Sequence, residues 1–140
     1  MNELTIEARI ENLEKVLAFV NERLEMIGCS MKAIMQINIA VEEIFVNVSQ
    51  YAYEQDKING IDNVAIIRVQ EGRDPLHVCV SIADRGLPFN PLAKDDPDVT
   101  LSAQERKIGG LGIYMVKKSM DDVQYEYRDG QNILTLRKDL

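Results

Sequence analysis

Three short groups of residues in this chain have types and spacings suited to chemistry. In the first, Glu43 and Asn47 are four positions apart, so on a helix their side chains address the same small volume. An amide oxygen at Asn47 suits Mg²⁺, and a carboxylate at Glu43 can take a proton from an attacking hydroxyl. The alternative is a solvated helix face. Glu42 points to the opposite side of that helix and is assigned no role.

The second group surrounds Asp84, which stands where the apolar run 78–82 stops and a glycine follows. An ionised carboxylate at this position can accept a hydrogen bond from an exocyclic amine such as that of adenine. Gly86 allows the backbone to approach a flat ring closely, because it carries no side chain. The alternative is an acid that begins a turn.

The third group is a glycine cluster, Gly109, Gly110 and Gly112, which precedes a helical segment. Backbone amides without side-chain cover at a helix start favour an anion. Arg106 adds positive charge just before the cluster. A flexible loop before a capped helix is the alternative. The three groups together predict a pocket for ATP with Mg²⁺, although neither common phosphate loop is present in the sequence.

The elements that must position these groups follow from hydrophobic periodicity and turn residues. Helices are predicted over 11–27, from an N-cap at Ser30 to about Tyr53, and over 111–120; strands over 4–10, 64–69, 76–82, 123–127 and 133–137. The last four strands form two hairpins, and a long loop covers 84–108. This order predicts an α+β fold, a two-layer α/β sandwich with about five strands in a mixed or antiparallel sheet and three helices on one face.

Composition limits the partners. With 140 residues and 46% apolar content, the chain is expected to form a single domain over 1–140. A net charge of −7 disfavours nucleic acid and anionic membranes, so neither is an expected partner. The absence of a long apolar run or a basic leader predicts a cytoplasmic protein. Cys29 and Cys79 are expected to be free thiols.

The motifs, in order, resemble those of the GHKL ATPase superfamily, which has the Bergerat fold. The resemblance is strongest to the anti-sigma factor serine/threonine kinases and covers nearly the whole chain. The residues that carry it are Glu43 and Asn47 followed by 51–53, the box 84–91, the stretch 105–113 with Met115, the segment 120–123, and the closing residues 132–138. One departure is Pro88, where the wider superfamily often has a second glycine.

The resemblance implies a role for each matched residue. Asn47 would hold Mg²⁺, Glu43 would be the general base, Asp84 would recognise adenine and Thr135 would assist at the base. A lid over residues 88–108 would cover the nucleotide. The implied nucleotide-binding set is Asn47, Asp84, Gly86, Pro88, Arg106, Gly109, Gly110, Leu111, Gly112 and Thr135. Tyr125 and Tyr127, which alternate on a strand, are interpreted as surface or interface residues.

The function that this resemblance implies is that of an anti-sigma factor and Mg-ATP-dependent serine/threonine protein kinase. Its substrate would be a small anti-anti-sigma (antagonist) protein in a bacterial partner-switching system. A sigma factor is a candidate second partner, and a homodimer is expected because relatives often dimerise. The alternative is an ATP-gated protein-binding module with little or no kinase activity. Only the kinase requires Glu43, whereas both hypotheses require ATP binding.

Overall fold

The computed structural model describes residues 2–52, 63–93 and 110–140. Within these ranges the chain forms five strands and three α-helices, with short 3₁₀ turns at 10–12 and 91–93. The strands are β1 Glu3–Glu7, β2 Val64–Gly72, β3 His77–Asp84, β4 Asp122–Arg128 and β5 Gln131–Asp139; the helices are α1 Leu13–Ile27, α2 Met31–Asn47 and α3 Gly110–Ser119.

The strands form one sheet in the order β1-β2-β3-β5-β4, and every pairing between them is antiparallel. Alternate residues of each strand point toward the helices, because successive side chains in a strand face opposite sides of the sheet. Ile67, Ile82 and Leu134 on this side are buried in the same core as residues from all three helices. The α+β two-layer sandwich expected from the sequence is therefore confirmed, with an antiparallel sheet.

The junction between α1 and α2 follows from its residue types. Gly28 ends α1 in the left-handed region with φ of 91°, which favours glycine because a side chain would crowd the backbone. Ser30 is the predicted N-cap of α2, and its hydroxyl accepts a hydrogen bond from the backbone N–H of Ala33 at 3.1 Å. The chain therefore reverses direction over three residues, 28–30, and α1 packs against α2.

The α-helical part of α2 is shorter than the helix that the sequence predicts. It ends at Asn47 and continues as a π-helical turn from Val48 to Ala52, while Tyr53 lies outside the described residues. Apolar residues at helical spacing form the core stripe of α2, and one of them, Ile34, is only partly buried. The buried members of the stripe are Ile37, Val41, Ile44, Phe45 and Val48.

Both predicted hairpins are present. Asp129 and Gly130 connect β4 to β5 with φ of 54° and 77°, the conformation that an Asp-Gly pair favours in a two-residue turn. The first strand differs from the prediction, because it ends at Glu7 and a 3₁₀ turn at Ile10–Asn12 leads into α1. None of the helices in the described ranges is long and apolar enough to cross a bilayer. Cys29 and Cys79 are free thiols, as predicted.

Candidate functional site

The helical pair lies on the flank of α2 that faces α3 rather than on its core stripe. Glu43 and Asn47 are both half-buried, and Nδ2 of Asn47 donates to Oε1 of Glu43 over 3.4 Å. The spacing of four residues therefore brings the two side chains together, as the sequence predicts. Glu42, the neighbouring acid, is exposed on another side of the helix.

The glycine-rich start of α3 lies directly against this pair. A Cβ added at Gly112 would overlap the carboxylate of Glu43, so the backbone of α3 approaches that carboxylate as closely as a residue without a side chain allows. The helix begins at Gly110, and Leu111 is in its first turn. Its first backbone N–H groups lack partners within the helix. Gly109 and Arg106 lie outside the described residues.

Asp84 ends β3 on the helix-bearing face of the sheet and is only 6% exposed. Its Oδ1 atom accepts two hydrogen bonds of 2.9 Å, one from the backbone N–H of Gly86 and one from Nδ2 of Asn132. Burial raises the pKa of the Asp84 carboxyl above its ordinary value, and the two hydrogen bonds lower it in part. An aspartate in this position is held in one orientation with its charge partly compensated.

The second carboxylate oxygen of Asp84 has a different environment. Among the described residues, Oδ2 receives no hydrogen bond, and no polar side-chain atom there is both fully buried and without a partner. Oδ2 therefore stays open to solvent while Oδ1 is occupied. An ionised oxygen in this state can accept a hydrogen bond from a donor such as an amine on a ring.

The segment after Asp84 leaves the sheet and passes from a buried to an exposed position. Gly86 is buried beside the carboxylate, whereas Pro88 is exposed one residue beyond Leu87. The structure therefore brings Gly86 and Asp84 together but leaves Pro88 on the surface. Only residues up to 93 of the predicted lid are described, and they end in the 3₁₀ turn at Pro91–Ala93.

Thr135 is not where the sequence analysis expects it. In the β3–β5 pairing it lies opposite Ser81, on the face of the sheet that points away from the helices. Its neighbours Leu134 and Leu136 are buried in the core on the other face. Because side chains alternate along a strand, Thr135 cannot reach the same side of the sheet as Asp84. The structure therefore does not bring Thr135 together with Asp84, and its role at the base stays a prediction.

Asn132 is the site residue that the sequence reasoning missed. It pairs with Asp84 across β3 and β5 and is 7% exposed. A signal was present, since Asp129-Gly130 fixes the hairpin register and Leu134 and Leu136 fix the buried face; counting back in twos from Leu134 reaches Asn132. Thr135 lies between Leu134 and Leu136 in the motif that carries the resemblance, but the alternation of side chains places it on the face of the sheet away from the helices.

Tyr125 also belongs to this part of the molecule. It is half-buried on β4, and its hydroxyl donates to Oδ1 of Asn132. Burial raises the pKa of the Tyr125 hydroxyl, so the group stays a protonated donor at neutral pH. Tyr127, interpreted from the sequence as a surface or interface residue, is 45% exposed, whereas Tyr125 is half-buried and packs against the core.

The donor set fits a magnesium ion held mainly by a bound phosphate. The described residues contain no group of three or more His, Cys, Asp or Glu side chains arranged to hold a metal. Asn47 uses its Nδ2 atom toward Glu43, and its Oδ1 atom accepts no hydrogen bond from a described residue. One available amide oxygen suits Mg²⁺, which commonly takes one or two protein ligands and fills its other positions with phosphates and water.

Comparison with known proteins agrees with this geometry. Residues 6–138 match the family described as the histidine kinase-like ATPase domain. The curated relatives include the serine-protein kinase RsbW of Bacillus cereus (strain AH820), which is 29% identical over 112 residues, or 76% of this chain and 65% of the relative. RsbW of Listeria monocytogenes serovar 1/2a is 30% identical over 111 residues, covering 76% of this chain and 67% of that protein. The matched region thus spans about two thirds of each relative's length.

Two solved structures share the fold. The RsbU and RsbW domains of Rv1364c from Mycobacterium tuberculosis align with a TM-score of 0.68 and 20% identity, over 100% of this chain and 33% of that one. The SiaB-SiaC complex of Pseudomonas aeruginosa aligns with a TM-score of 0.61 and 14% identity, over 99% of this chain and 89% of the matched chain. At these identities the likeness establishes the shared architecture.

Proposed function

We propose that this chain, which belongs to the histidine kinase-like ATPase domain family, binds ATP with Mg²⁺ and transfers the γ-phosphoryl group to a serine or threonine of a partner protein. The observation that carries the proposal is the contact between the Glu43 carboxylate and Gly112. This contact places a potential proton acceptor against the start of a helix, where the phosphates of a nucleotide would bind.

Asp84 is the proposed contact to the base. Its open Oδ2 atom accepts the exocyclic amine of adenine, while its Oδ1 atom is held by Gly86 and Asn132. Gly86 lies beside the carboxylate and leaves room for the ring. Pro88 stays in the proposed nucleotide-binding set as the exposed start of the covering segment.

The phosphates are proposed to bind at the start of α3. The amides of Gly110, Leu111 and Gly112 lie in its first turn. Gly109 and Arg106, which lie outside the described residues, stay in the proposed phosphate-binding set. Asn47 contributes its Oδ1 atom to Mg²⁺. When bound, Mg²⁺ neutralises part of the phosphate charge and so makes the γ-phosphoryl group easier to transfer.

Glu43 is the proposed general base. It accepts the proton of the attacking hydroxyl as the oxygen of that hydroxyl forms a bond to the γ-phosphorus. The bond between the γ-phosphorus and the bridging oxygen breaks in the same transfer, so that ADP leaves with the bridging oxygen. The hydrogen bond from Asn47 and the backbone of Gly112 keep the Glu43 carboxylate on the α3 side of the helix.

The partner is proposed from the names of the relatives. RsbW is named a serine-protein kinase, and SiaB was solved in complex with SiaC. We propose that the phosphorylated partner is a small anti-anti-sigma protein, that a sigma factor is a second partner, and that the chain works as a homodimer in the cytoplasm. Under this proposal the chain is an anti-sigma factor, and phosphorylation of the antagonist protein controls which partner it holds.

Phosphate transfer from γ-labelled ATP tests the proposal. The phosphate acceptor is a purified small anti-anti-sigma protein, and the comparison is between Glu43→Ala and Glu42→Ala. Both changes remove one helical carboxylate, but only Glu43 lies against Gly112. We expect Glu43→Ala to lower the transfer rate at least a hundredfold with ATP affinity retained, and Glu42→Ala to change it less than twofold.

Two other outcomes would contradict this assignment. Full transfer by Glu43→Ala would remove Glu43 from the role of base. ATP binding by the unmodified chain without any transfer would favour the alternative function, a module whose affinity for a protein partner depends on bound ATP.

A further inference from the structure

Asn132 makes more side-chain hydrogen bonds than its buried position on a strand requires. Its Nδ2 atom donates to Oδ1 of Asp84 at 2.9 Å, to the carbonyl of Leu87 at 2.9 Å and to the carbonyl of Gly86 at 3.3 Å. Its Oδ1 atom accepts from the backbone N–H of Phe89 at 3.0 Å and from the hydroxyl of Tyr125. One side chain thus contacts three separate parts of the molecule.

The contacts have a consistent geometry. Asp84 and Asn132 are cross-strand partners on the helix-bearing face, 48 residues apart in the sequence. The amide end of Asn132 reaches over the end of β3 to the segment 86–89, and Tyr125 supports its oxygen from β4. Both polar atoms are engaged, so the side chain has one orientation that satisfies all of its partners.

We infer that Asn132 is a positioning residue that makes the site selective for adenine. By occupying Oδ1 of Asp84, it leaves Oδ2 as the oxygen available to the amine of the base. By holding Leu87 and Phe89, it fixes the backbone that lies beside the bound ring. This inference rests on the proposed function, because it assigns to Asn132 the selectivity of that same nucleotide site.

The test compares two nucleotides that differ in one group: ATP and the purine riboside triphosphate that lacks the 6-amino group. Their affinities for the full chain are measured by calorimetry with Mg²⁺. In Asn132→Ala, the Asp84 carboxylate loses its side-chain donor and its fixed orientation. We expect the preference for ATP to fall at least fivefold, whereas affinity for the analogue falls less than twofold.

Tyr127→Phe is the matched control. It removes a tyrosine hydroxyl from the same strand, β4, at an exposed position, and leaves every hydrogen bond of Asn132 in place. The preference for ATP is expected to stay within twofold of the unmodified chain. Asn132→Leu, which has the same branching and number of side-chain heavy atoms as asparagine, is a second variant in case Asn132→Ala does not fold. Circular dichroism tests whether each variant folds.

A second measurement tests whether Asn132 fixes the backbone at Phe89. Hydrogen exchange of the Phe89 amide, observed by NMR, is expected to accelerate at least tenfold in Asn132→Ala and Asn132→Leu, because its acceptor is removed. The Val80 amide, in the centre of the sheet, is the internal reference. In Tyr127→Phe the Phe89 amide is expected to exchange at the original rate.

The outcomes separate this inference from the proposed function. If the unmodified chain binds neither nucleotide, the nucleotide site itself is wrong. If it prefers ATP and the Asn132 variants keep that preference, only the inference about Asn132 is overturned. Equal losses for both nucleotides would also overturn it, because they would show a structural role without selectivity.

Discussion

At the scale of single residues, Gly112 is a position where an added side chain would meet the proposed general base. A Cβ at this position would overlap the carboxylate of Glu43, which is the end of a flexible side chain and can move away. A substitution at Gly112 is therefore expected to lower activity, because the Glu43 carboxylate must move. It is expected to leave the fold intact, because only the end of one side chain has to shift.

Gly112→Ala tests this directly. Alanine favours a helix over glycine by about 1 kcal/mol, so we expect thermal unfolding of the variant at or above the original temperature. We expect phosphate transfer to fall at least tenfold, since Glu43 is displaced. Met115→Ala, at an exposed position of the same helix, is the control and should leave transfer unchanged. Unchanged transfer in Gly112→Ala would show that the position of Glu43 does not matter.

The proposed contact of Asp84 with the base predicts that nucleotide binding depends on pH. The pKa of Asp84 is raised by burial, so the carboxyl takes up a proton at a higher pH than an ordinary aspartate does. In the proposed contact the ionised form accepts the amine of adenine. Protonation is therefore expected to weaken ATP binding as the pH falls, starting at a higher pH than for an exposed aspartate.

Calorimetric titration of ATP across pH 4 to 8 measures this effect, with Asp84→Asn as the reference for protons taken up by the nucleotide. We expect the ATP affinity of the unmodified chain, divided by that of Asp84→Asn, to decrease steadily as the pH is lowered. A ratio independent of pH would mean that Asp84 does not contact the base in its ionised form.

Residue spacing predicted part of the site and missed another part for a physical reason. Glu43 and Asn47 are neighbours on one helix, so their approach is a local property that the sequence contains. Asn132 reaches Asp84 only through the pairing of β3 with β5, which depends on long-range register. Thr135 belongs to the matched motif, but the alternation of side chains along β5 puts it on the face of the sheet opposite to Asn132.

At the scale of elements, the turns and caps were the most predictable features, because each depends on one or two residues. Gly28, Ser30 and Asp129-Gly130 all occupy the positions that their chemistry favours. The end of α2 was less predictable. The apolar spacing continues past Asn47, and the sequence carries no sign of the π-helical turn that follows.

The cap at Ser30 supports a prediction of stability. Its hydroxyl accepts a hydrogen bond from Ala33 at 3.1 Å, so Ser30→Ala leaves that N–H without its partner. We expect the free energy of unfolding in urea to decrease by about 1 kcal/mol. Ser30→Asp keeps an acceptor at the helix start and is expected to retain the original stability. Equal values for the two variants would show that the cap contributes nothing measurable.

At the scale of the whole molecule, the sheet order brings distant parts of the sequence to one place. The helical pair and the first half of the base site come from the segment before residue 90, while Gly112, Tyr125 and Asn132 come from the last third of the chain. Asp84 and its partner Asn132 meet because β5 inserts between β3 and β4. The two halves of the proposed site are therefore joined by the sheet.

This strand order has a consequence for a chain emerging from the ribosome. After β3 is synthesised, Asp84 has no neighbouring strand on its outer side until β5, the last strand of the sheet, has been made. A nascent chain that lacks β5 carries the acid without the amide that orients it. The proposed contact to the base is therefore complete only after β5 has paired with β3.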